Sequence, residues 1–366
     1  MSFASKFRSF LGLLAVALAV HGLPGPARAA QSADATPHVG ADGVAHLPAS
    51  SVPLSKFMSA ASRAKFIKAF ATPEPSAASG ADIQVVREFD ERKNAPFVAR
   101  AKALYPVSIE PRLIGAVHVQ VITPKEGVSS KNRHRVLINL HGGGFLWGEG
   151  NGARAESIPI AGLGKITVIT VAYRMAPEFK FPAASEDVAA VYRELLKERD
   201  ASDIGIYGCS AGGILTAEAI AWFQKVNLPM PGAIGTFCGS AETLEGDSHY
   251  TAPLLVGELP SDRRSAYMSE TSLSDPLVFP ANSPAVLARF PPTLLIAGSR
   301  DPTVSSLFAT QAALAKAGVE AELHVWDGMW HAFFFDPDLP ESQEVYDTVV
   351  KFFDRHLGAH RGSNTG

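Results

Sequence analysis

The chain has 366 residues, 46% of them hydrophobic and 19% charged, with a formal net charge of −3. That is an ordinary globular composition, long enough for a large buried core in one large domain or two smaller ones. So small a net charge supplies no basic field for nucleic acid or an acidic membrane surface, and two cysteines exclude a disulfide scaffold.

The N-terminus reads as a targeting segment. Lys6 and Arg8 precede an apolar block, Phe10–Val20, which is too short to span a bilayer and is broken by Pro24, Gly25 and Pro26. Ala27-Arg28-Ala29 then has the small-x-small pattern of a cleavage site, so residues 1–29 are expected to be a signal peptide, cut after Ala29 or Ala30. The weaker alternative is an uncleaved anchor. Export to the periplasm or medium follows, with no stable membrane insertion once the signal is removed. From Ala30 to Ser51 the chain is rich in Ala, Pro, Gly and Ser and reads as a mobile linker. Helical fragments follow at Lys56–Ser62 and Pro96–Leu104, so residues 30–105 are expected to supply a linker and N-terminal cap helices.

The main domain is expected over 106–366. Strand signals begin near Val107, and Ala116–Ile122 alternates apolar and polar side chains as a half-buried strand does. Arg135–Leu140, Ile166–Val171, Asp203–Tyr207, Ala233–Phe237, Thr293–Ala297 and Glu322–Trp326 are mostly apolar, as strands inside a parallel sheet covered on both faces would be. Helix-period segments lie between them at Ala183–Leu196, Ala211–Phe223, Val304–Ala317 and Ser342–Leu357. Alternating strand and helix predict an α/β layered sandwich. The stretch from about Gly239 to Ala288 interrupts the alternation. A structureless loop of that length is improbable, so it is expected to fold as a cap insertion over the site, together with residues 52–104.

The chemistry centres on Gly208-Cys209-Ser210-Ala211-Gly212, placed between a predicted strand and a predicted helix. A sharp strand-to-helix turn lifts the Ser210 hydroxyl off the sheet, and the helix N-terminus offers unpaired N–H groups behind it. Ser210 is therefore the candidate nucleophile. His331, in Gly328-Met329-Trp330-His331-Ala332-Phe333 just past the last strand, is the candidate base. Asp301, in Gly298-Ser299-Arg300-Asp301-Pro302, also follows an apolar strand and is the candidate orienting acid; a helix N-cap role is compatible with it. The run His141-Gly142-Gly143-Gly144-Phe145 follows a strand and can turn its backbone N–H groups toward the sheet's edge. Gly142, Gly143, Gly144 and Ala211 are thus candidate oxyanion donors. A phosphate-loop reading is poor because no lysine follows these glycines. No metal or organic cofactor is called for. Cys209 and Cys238 are expected to be buried free thiols rather than a bridge, which would clamp the nucleophile turn.

With Tyr173-Arg174-Met175-Ala176-Pro177-Glu178, these motifs resemble the hormone-sensitive lipase family of α/β-hydrolases from about Val107 to Leu357. The resemblance implies an α/β-hydrolase fold, with a mostly parallel eight-stranded sheet, helices on both faces and a helical cap. It implies hydrolysis of short-chain carboxylic esters through an acyl-enzyme, and oxyanion donation mainly by Gly143, Gly144 and Ala211. It gives Glu178 a structural part near the site, and it permits monomers and homodimers. One departure is Cys209, where many members carry aspartate. A lactonase or amidase using the same three residues is the alternative. A non-catalytic ligand-binding protein is disfavoured because Ser210, Asp301 and His331 are all retained. The partner is expected to be a small-molecule ester, with no nucleic acid.

Overall fold

The computed structural model describes residues 36–47, 51–71, 82–256 and 266–358. The expected signal peptide, residues 1–29, lies outside them. The chain divides into two compact units, residues 1–52 and 53–366. In the first, where the sequence suggested a linker, β1 (His38–Val39) and β2 (Ala45–His46) form a small antiparallel hairpin. Gly43 turns it at φ +82°, and the Asp42 carboxylate accepts the Val44 N–H at 3.1 Å.

In the second unit, α1 (Ala60–Ala71) and α2 (Ile83–Leu104) precede the sheet. Helix α2 starts earlier than its sequence signal because Pro96, which reads as a first-turn residue, sits inside it; the cap is Asp82, accepting the Gln84 N–H at 2.8 Å. Likewise α1 begins at Ala60 rather than near Lys56. Then come β3 (Val107–Ile114), β4 (Val117–Pro124), β5 (Val136–Leu140), α3 (Asn151–Gly164), β6 (Thr167–Val171), α4 (Ala183–Leu195), β7 (Ile204–Cys209), α5 (Ala211–Lys225) and β8 (Ala233–Phe237). The chain continues through α6 (Asp247–Val256), α7 (Pro284–Leu287), β9 (Thr293–Gly298), α8 (Val304–Lys316), β10 (Ala321–Trp326) and α9 (Pro340–His356).

The strands form an eight-stranded sheet in the order β10-β9-β8-β7-β5-β6-β4-β3. It is parallel from β10 to β6, while β4 runs antiparallel to β6 and β3 to β4. The central strands β5, β7, β8 and β9 are buried along their whole length, which explains their nearly continuous apolar sequences. One face packs against α4, α5 and α8 through residues such as Val188, Leu215 and Leu307. The other packs against α3 and α9 through Ile158, Val349 and Phe352. Because the central strands are parallel, their C-terminal ends share one edge, and the connections leaving that edge carry the motifs found in the sequence. Within 239–288 the described residues hold α6, α7 and short 3₁₀ turns at Ala266–Met268 and Pro280–Asn282. Among the described residues, no helix is long and apolar enough to cross a membrane.

Helix α1 is tied to α9 by one carboxylate. Glu341 accepts the Ser59 N–H at 2.7 Å, the Ser59 hydroxyl at 3.0 Å and the Ser62 hydroxyl at 2.5 Å. Burial works to raise the Glu341 carboxyl, but the Ser62 and Ser59 donors outweigh it and hold it below the ordinary glutamate value. A depressed carboxyl stabilises the fold above its unfolded value and loses that contribution as pH falls through the folded one. Glu341→Ala should therefore cost about 1–3 kcal/mol in urea unfolding at pH 7, with a smaller difference from the parent in acid. Equal midpoints at pH 7 would show that this anchor does not hold α1.

Candidate active site

The nucleophile turn follows from close packing of backbone on backbone. Ser210 leaves β7 at φ 58°, ψ −123° and caps the N-terminus of α5. A non-glycine residue in this region is strained by about 1–3 kcal/mol, so its surroundings must hold it there. They do: the Ser210 N–H donates to the Phe237 carbonyl at 2.7 Å, and its own carbonyl accepts the Ile214 N–H at 3.1 Å. The flanking glycines let the strands approach. A Cβ at Gly208 would lie 2.2 Å from the Leu140 carbonyl oxygen, and one at Gly212 only 1.8 Å from the same atom. Ala211 is the first residue of α5, so its N–H is one of the donors a helix start leaves without an intrahelical partner.

Asp301 lies three residues beyond β9 and is fully buried. Its two oxygens each lie 3.0 Å from His331 Nδ1, and Oδ1 also accepts the Thr303 N–H at 2.8 Å and the Thr303 hydroxyl at 2.7 Å. Burial pushes this carboxyl up, but the His331 charge and hydrogen bond, with the two Thr303 donors, hold it below the ordinary aspartate value. It is thus an ionised, oriented acceptor. That fixes the imidazole with Nδ1–H toward Asp301 and Nε2 as the proton-accepting nitrogen. His331 lies on the loop after β10, and its side chain is 36% exposed, so the ring edge is accessible while its anchor is not. The N-cap role the sequence allowed Asp301 is not the one it has: α8 is capped at Thr303, and Asp301 instead receives the Thr303 N–H and hydroxyl.

The 141–146 turn is pinned from several sides. His141 is buried, stacks on Tyr173 at 4.2 Å, and lies with Nδ1 2.7 Å from the Gly142 carbonyl; burial lowers its pKa to about 4, so it is neutral and donates from Nδ1. The Tyr173 hydroxyl donates to the His141 carbonyl at 2.7 Å. The Gly142 N–H donates to Glu156 Oε1 at 2.8 Å, so that donor is already engaged, unlike the open oxyanion role the sequence grouped it under. Gly143 has φ +108°, and a Cβ there would lie 2.1 Å from the Trp147 carbonyl oxygen; only glycine fits this turn. Arg87 of α2 holds the outer side of the loop. Its Nε donates to the Leu146 carbonyl at 2.9 Å and its two terminal nitrogens reach Glu178 at 2.8 Å each. Glu178 therefore acts on the loop through Arg87, which sequence reasoning missed along with Glu156 and Thr303. None of these three stands in a recognisable pattern.

Cys209 and Cys238 are buried free thiols. Burial, first of all, pushes both above the ordinary thiol value, Cys238 to about 11, which keeps Cys209 protonated and unreactive beside Ser210. Cys238, Asp301 and His331 place their ligand-type atoms within 4.8 Å of one another.

This geometry can be set beside known proteins. A family profile described as alpha/beta hydrolase fold matches residues 137–335. An acetyl-hydrolase of Streptomyces hygroscopicus is 31% identical over 225 residues, covering 60% of this chain and 75% of that protein. A putative acetyl-hydrolase, LipR of Mycobacterium tuberculosis, is 29% identical over 278 residues, covering 74% and 88%. Among solved structures, esterase E25 superposes with a TM-score of 0.74 at 29% identity, covering 85% of this chain and 98% of that one. An esterase from the bacterial hormone-sensitive lipase family gives 0.70 at 25% identity, covering 82% and 99%. The chain belongs to the α/β-hydrolase fold family, as its motifs indicated. Within it, the chain is a carboxylic ester hydrolase, similar to these acetyl-hydrolases and esterases.

Proposed function

We propose that the protein is a serine esterase of acetyl and other short acyl esters, with Ser210 as nucleophile, His331 as general base and acid, and Asp301 as its orienting partner. The observation that carries this reading is the His331 Nδ1 contact of 3.0 Å to each oxygen of a fully buried Asp301, on the same sheet edge as the strained Ser210 turn. Ser210 Oγ attacks the ester carbonyl while His331 Nε2 takes its proton. The tetrahedral oxyanion is held by the N–H groups of Gly143, Gly144 and Ala211, because the Gly142 N–H faces Glu156. His331 then protonates the leaving alcohol, and a water activated by the same nitrogen releases the acid from the acyl-enzyme. The acetyl preference rests on the names of the two relatives.

Helices α1 and α2 and the 239–288 segment are read as the cap. An apolar cleft of about 270 Å³ between Phe66, Ile67 and Phe70 of α1 and Leu255 and Val256 of α6 supports this reading. Its Phe66 and Phe70 rings lie 5.9 and 6.0 Å from Trp330, the residue before His331, so the cleft can take the apolar part of an ester. Residues 1–29 are read as an export signal on their composition; intact-mass analysis of protein recovered outside the cytoplasm should begin at Ala30 or Gln31.

The functional test is direct. A fluorophosphonate should give a single adduct, mapped by mass spectrometry to Ser210, and p-nitrophenyl acetate or butyrate should be turned over faster than longer acyl esters. An adduct elsewhere, or lactones and aryl amides turned over in preference to linear esters, would displace this reading.

A further inference from the structure

Glu156 is a buried carboxyl that the mechanism above does not use, yet it stands at the base of the site. It projects from the second turn of α3 and is 5% exposed. Oε1 accepts the Gly142 N–H at 2.8 Å and Oε2 accepts the Asn139 side-chain amide at 3.0 Å. The Cys209 main chain lies close enough to lower the Glu156 carboxyl's pKa. Asn139 and Gly142 flank the exit of β5, and Cys209 ends β7 immediately before Ser210. A Cβ built on Gly142 would lie 3.5 Å from Glu156 Oε1, 3.4 Å from Ser210 Cβ and 3.0 Å from the Cys209 carbonyl oxygen.

The consequence follows from peptide planarity. The peptide joining His141 to Gly142 is gripped at both ends, its carbonyl by the Tyr173 hydroxyl at 2.7 Å and its N–H by Glu156 at 2.8 Å. The next peptide is held through the Gly142 carbonyl by His141 Nδ1 at 2.7 Å. In a trans peptide the N–H points opposite to the carbonyl, so fixing the Gly142 carbonyl fixes the direction of the Gly143 N–H. Without Glu156 the first of these planes can rotate and carry the second with it.

We infer that Glu156 is the positioning residue of the oxyanion site, one carboxyl oxygen holding Gly142 and the other Asn139, so that the exit of β5 is locked against the exit of β7. This rests on the acyl-transfer reading above. It acts best uncharged. Burial, the largest influence, raises its pKa to about 8 against the hydrogen bonds from Asn139 and Gly142 and the nearby Cys209 main chain. Asn139 Oδ1 is buried with no hydrogen-bond partner; turning that amide over lets Oδ1 accept the O–H of a neutral Glu156. The titratable groups that act on it are Tyr207 and Cys209 on β7, Tyr173 after β6 and His331 after β10, with His141 at the end of β5 hydrogen-bonded to Gly142 beside it. Burial holds Tyr173, Tyr207 and Cys209 well above their ordinary values and His141 neutral, so these do not titrate with Glu156 near pH 8. Ionisation of Glu156 would bring a negative charge beside the developing oxyanion and oppose it.

The test compares Glu156→Gln, Glu156→Ala and Glu156→Asp on p-nitrophenyl acetate, with folding checked by circular dichroism. Glu156→Gln keeps the Gly142 acceptor and should hold kcat within about threefold of the parent at pH 7, while losing the parent's decline in kcat above about pH 8. Glu156→Ala and the shorter Glu156→Asp should lower kcat about 10²-fold with KM within about threefold, and raise the Ki of a trifluoromethyl ketone, bound as an oxyanion, by a similar factor. A folded Ala or Asp variant with parental kcat and Ki overturns the inference, as does a raised KM at unchanged kcat. Should neither variant fold, Glu156→Gln decides alone: a high-pH limb identical to the parent's overturns it. Failure of the esterase reading looks different, since the parent itself would then show no ester turnover and no fluorophosphonate adduct on Ser210.

Discussion

Ser210→Ala should hydrolyse p-nitrophenyl acetate about 10⁶-fold more slowly than the parent, with His331→Ala close to it and Asp301→Asn near 10⁴. The order follows from what each group does. Without the Ser210 hydroxyl there is no acyl-enzyme, and without the imidazole the hydroxyl keeps its proton. What survives is the modest catalysis of bound substrate in an oxyanion pocket. Asp301 acts one step back. Its carboxylate takes the His331 Nδ1–H on both oxygens at 3.0 Å in a fully buried position, so it sets the tautomer rather than touching the ester. An asparagine there keeps the size but can present an N–H to Nδ1, which moves the imidazole proton to Nε2 and removes the base. The three effects should not add, because each single loss disables the same unit; a Ser210→Ala, His331→Ala double variant should sit near the Ser210→Ala rate. Steady-state rates with active-site titration check this. Parental turnover in Ser210→Ala would remove the nucleophile assignment outright.

Gly212→Ala, a one-methyl change two residues past Ser210, should also be damaging, though less so and for a different reason. The added Cβ would lie 1.8 Å from the Leu140 carbonyl oxygen and 2.7 Å from that of His141. Both are backbone atoms of β5 and its exit, with no side chain to swing aside. Either α5 is pushed off the sheet or β5 shifts, and both movements part Ser210 from the 141–146 turn, the proposed oxyanion site. Overpacking of this kind costs about 1–3 kcal/mol or more, and a displacement of about 1 Å at the reacting atoms is enough for about a 10²-fold loss in kcat. Gly127→Ala is the control: φ is +89° there, but nothing lies within 4 Å, so only left-handed strain of about 1–2 kcal/mol is expected and activity should hold. The two variants are compared by thermal unfolding and kcat. Equal effects in both would mean that close approach at Gly212 is not what the glycine provides.

Much of this site could be read before any fold was known, because its chemistry depends on local turn geometry. Gly208, Ser210 and Gly212 advertise a sharp strand-to-helix turn, and the structure gives Ser210 a φ of 58° there. The sheet was legible because strands buried on both faces become runs of apolar residues, as in Thr293–Gly298. Helix α3 escaped notice: it opens on Asn151-Gly152, carries Pro159 inside and holds three glycines across Asn151–Gly164, so tertiary burial overrides its poor propensity. Helix α2 was only half seen, since Pro96 looks like a start and is an interior residue.

The sequence by itself determined which side chains, Ser210, Asp301 and His331, are candidates and their order along the strand ends, since those follow from turn residues and strand periodicity within a few positions of each other. Only the tertiary structure decided what holds them: Glu156 under Gly142, Thr303 on Asp301, Arg87 joining Leu146 to Glu178, and Glu341 fastening α1. It also decided that the Gly142 N–H faces Glu156. The reason is physical. A turn is encoded by the residues that make it, whereas a buried hydrogen-bond partner comes from whichever distant segment the packing brings alongside, and any of many carboxylates or arginines in the chain could have filled that place.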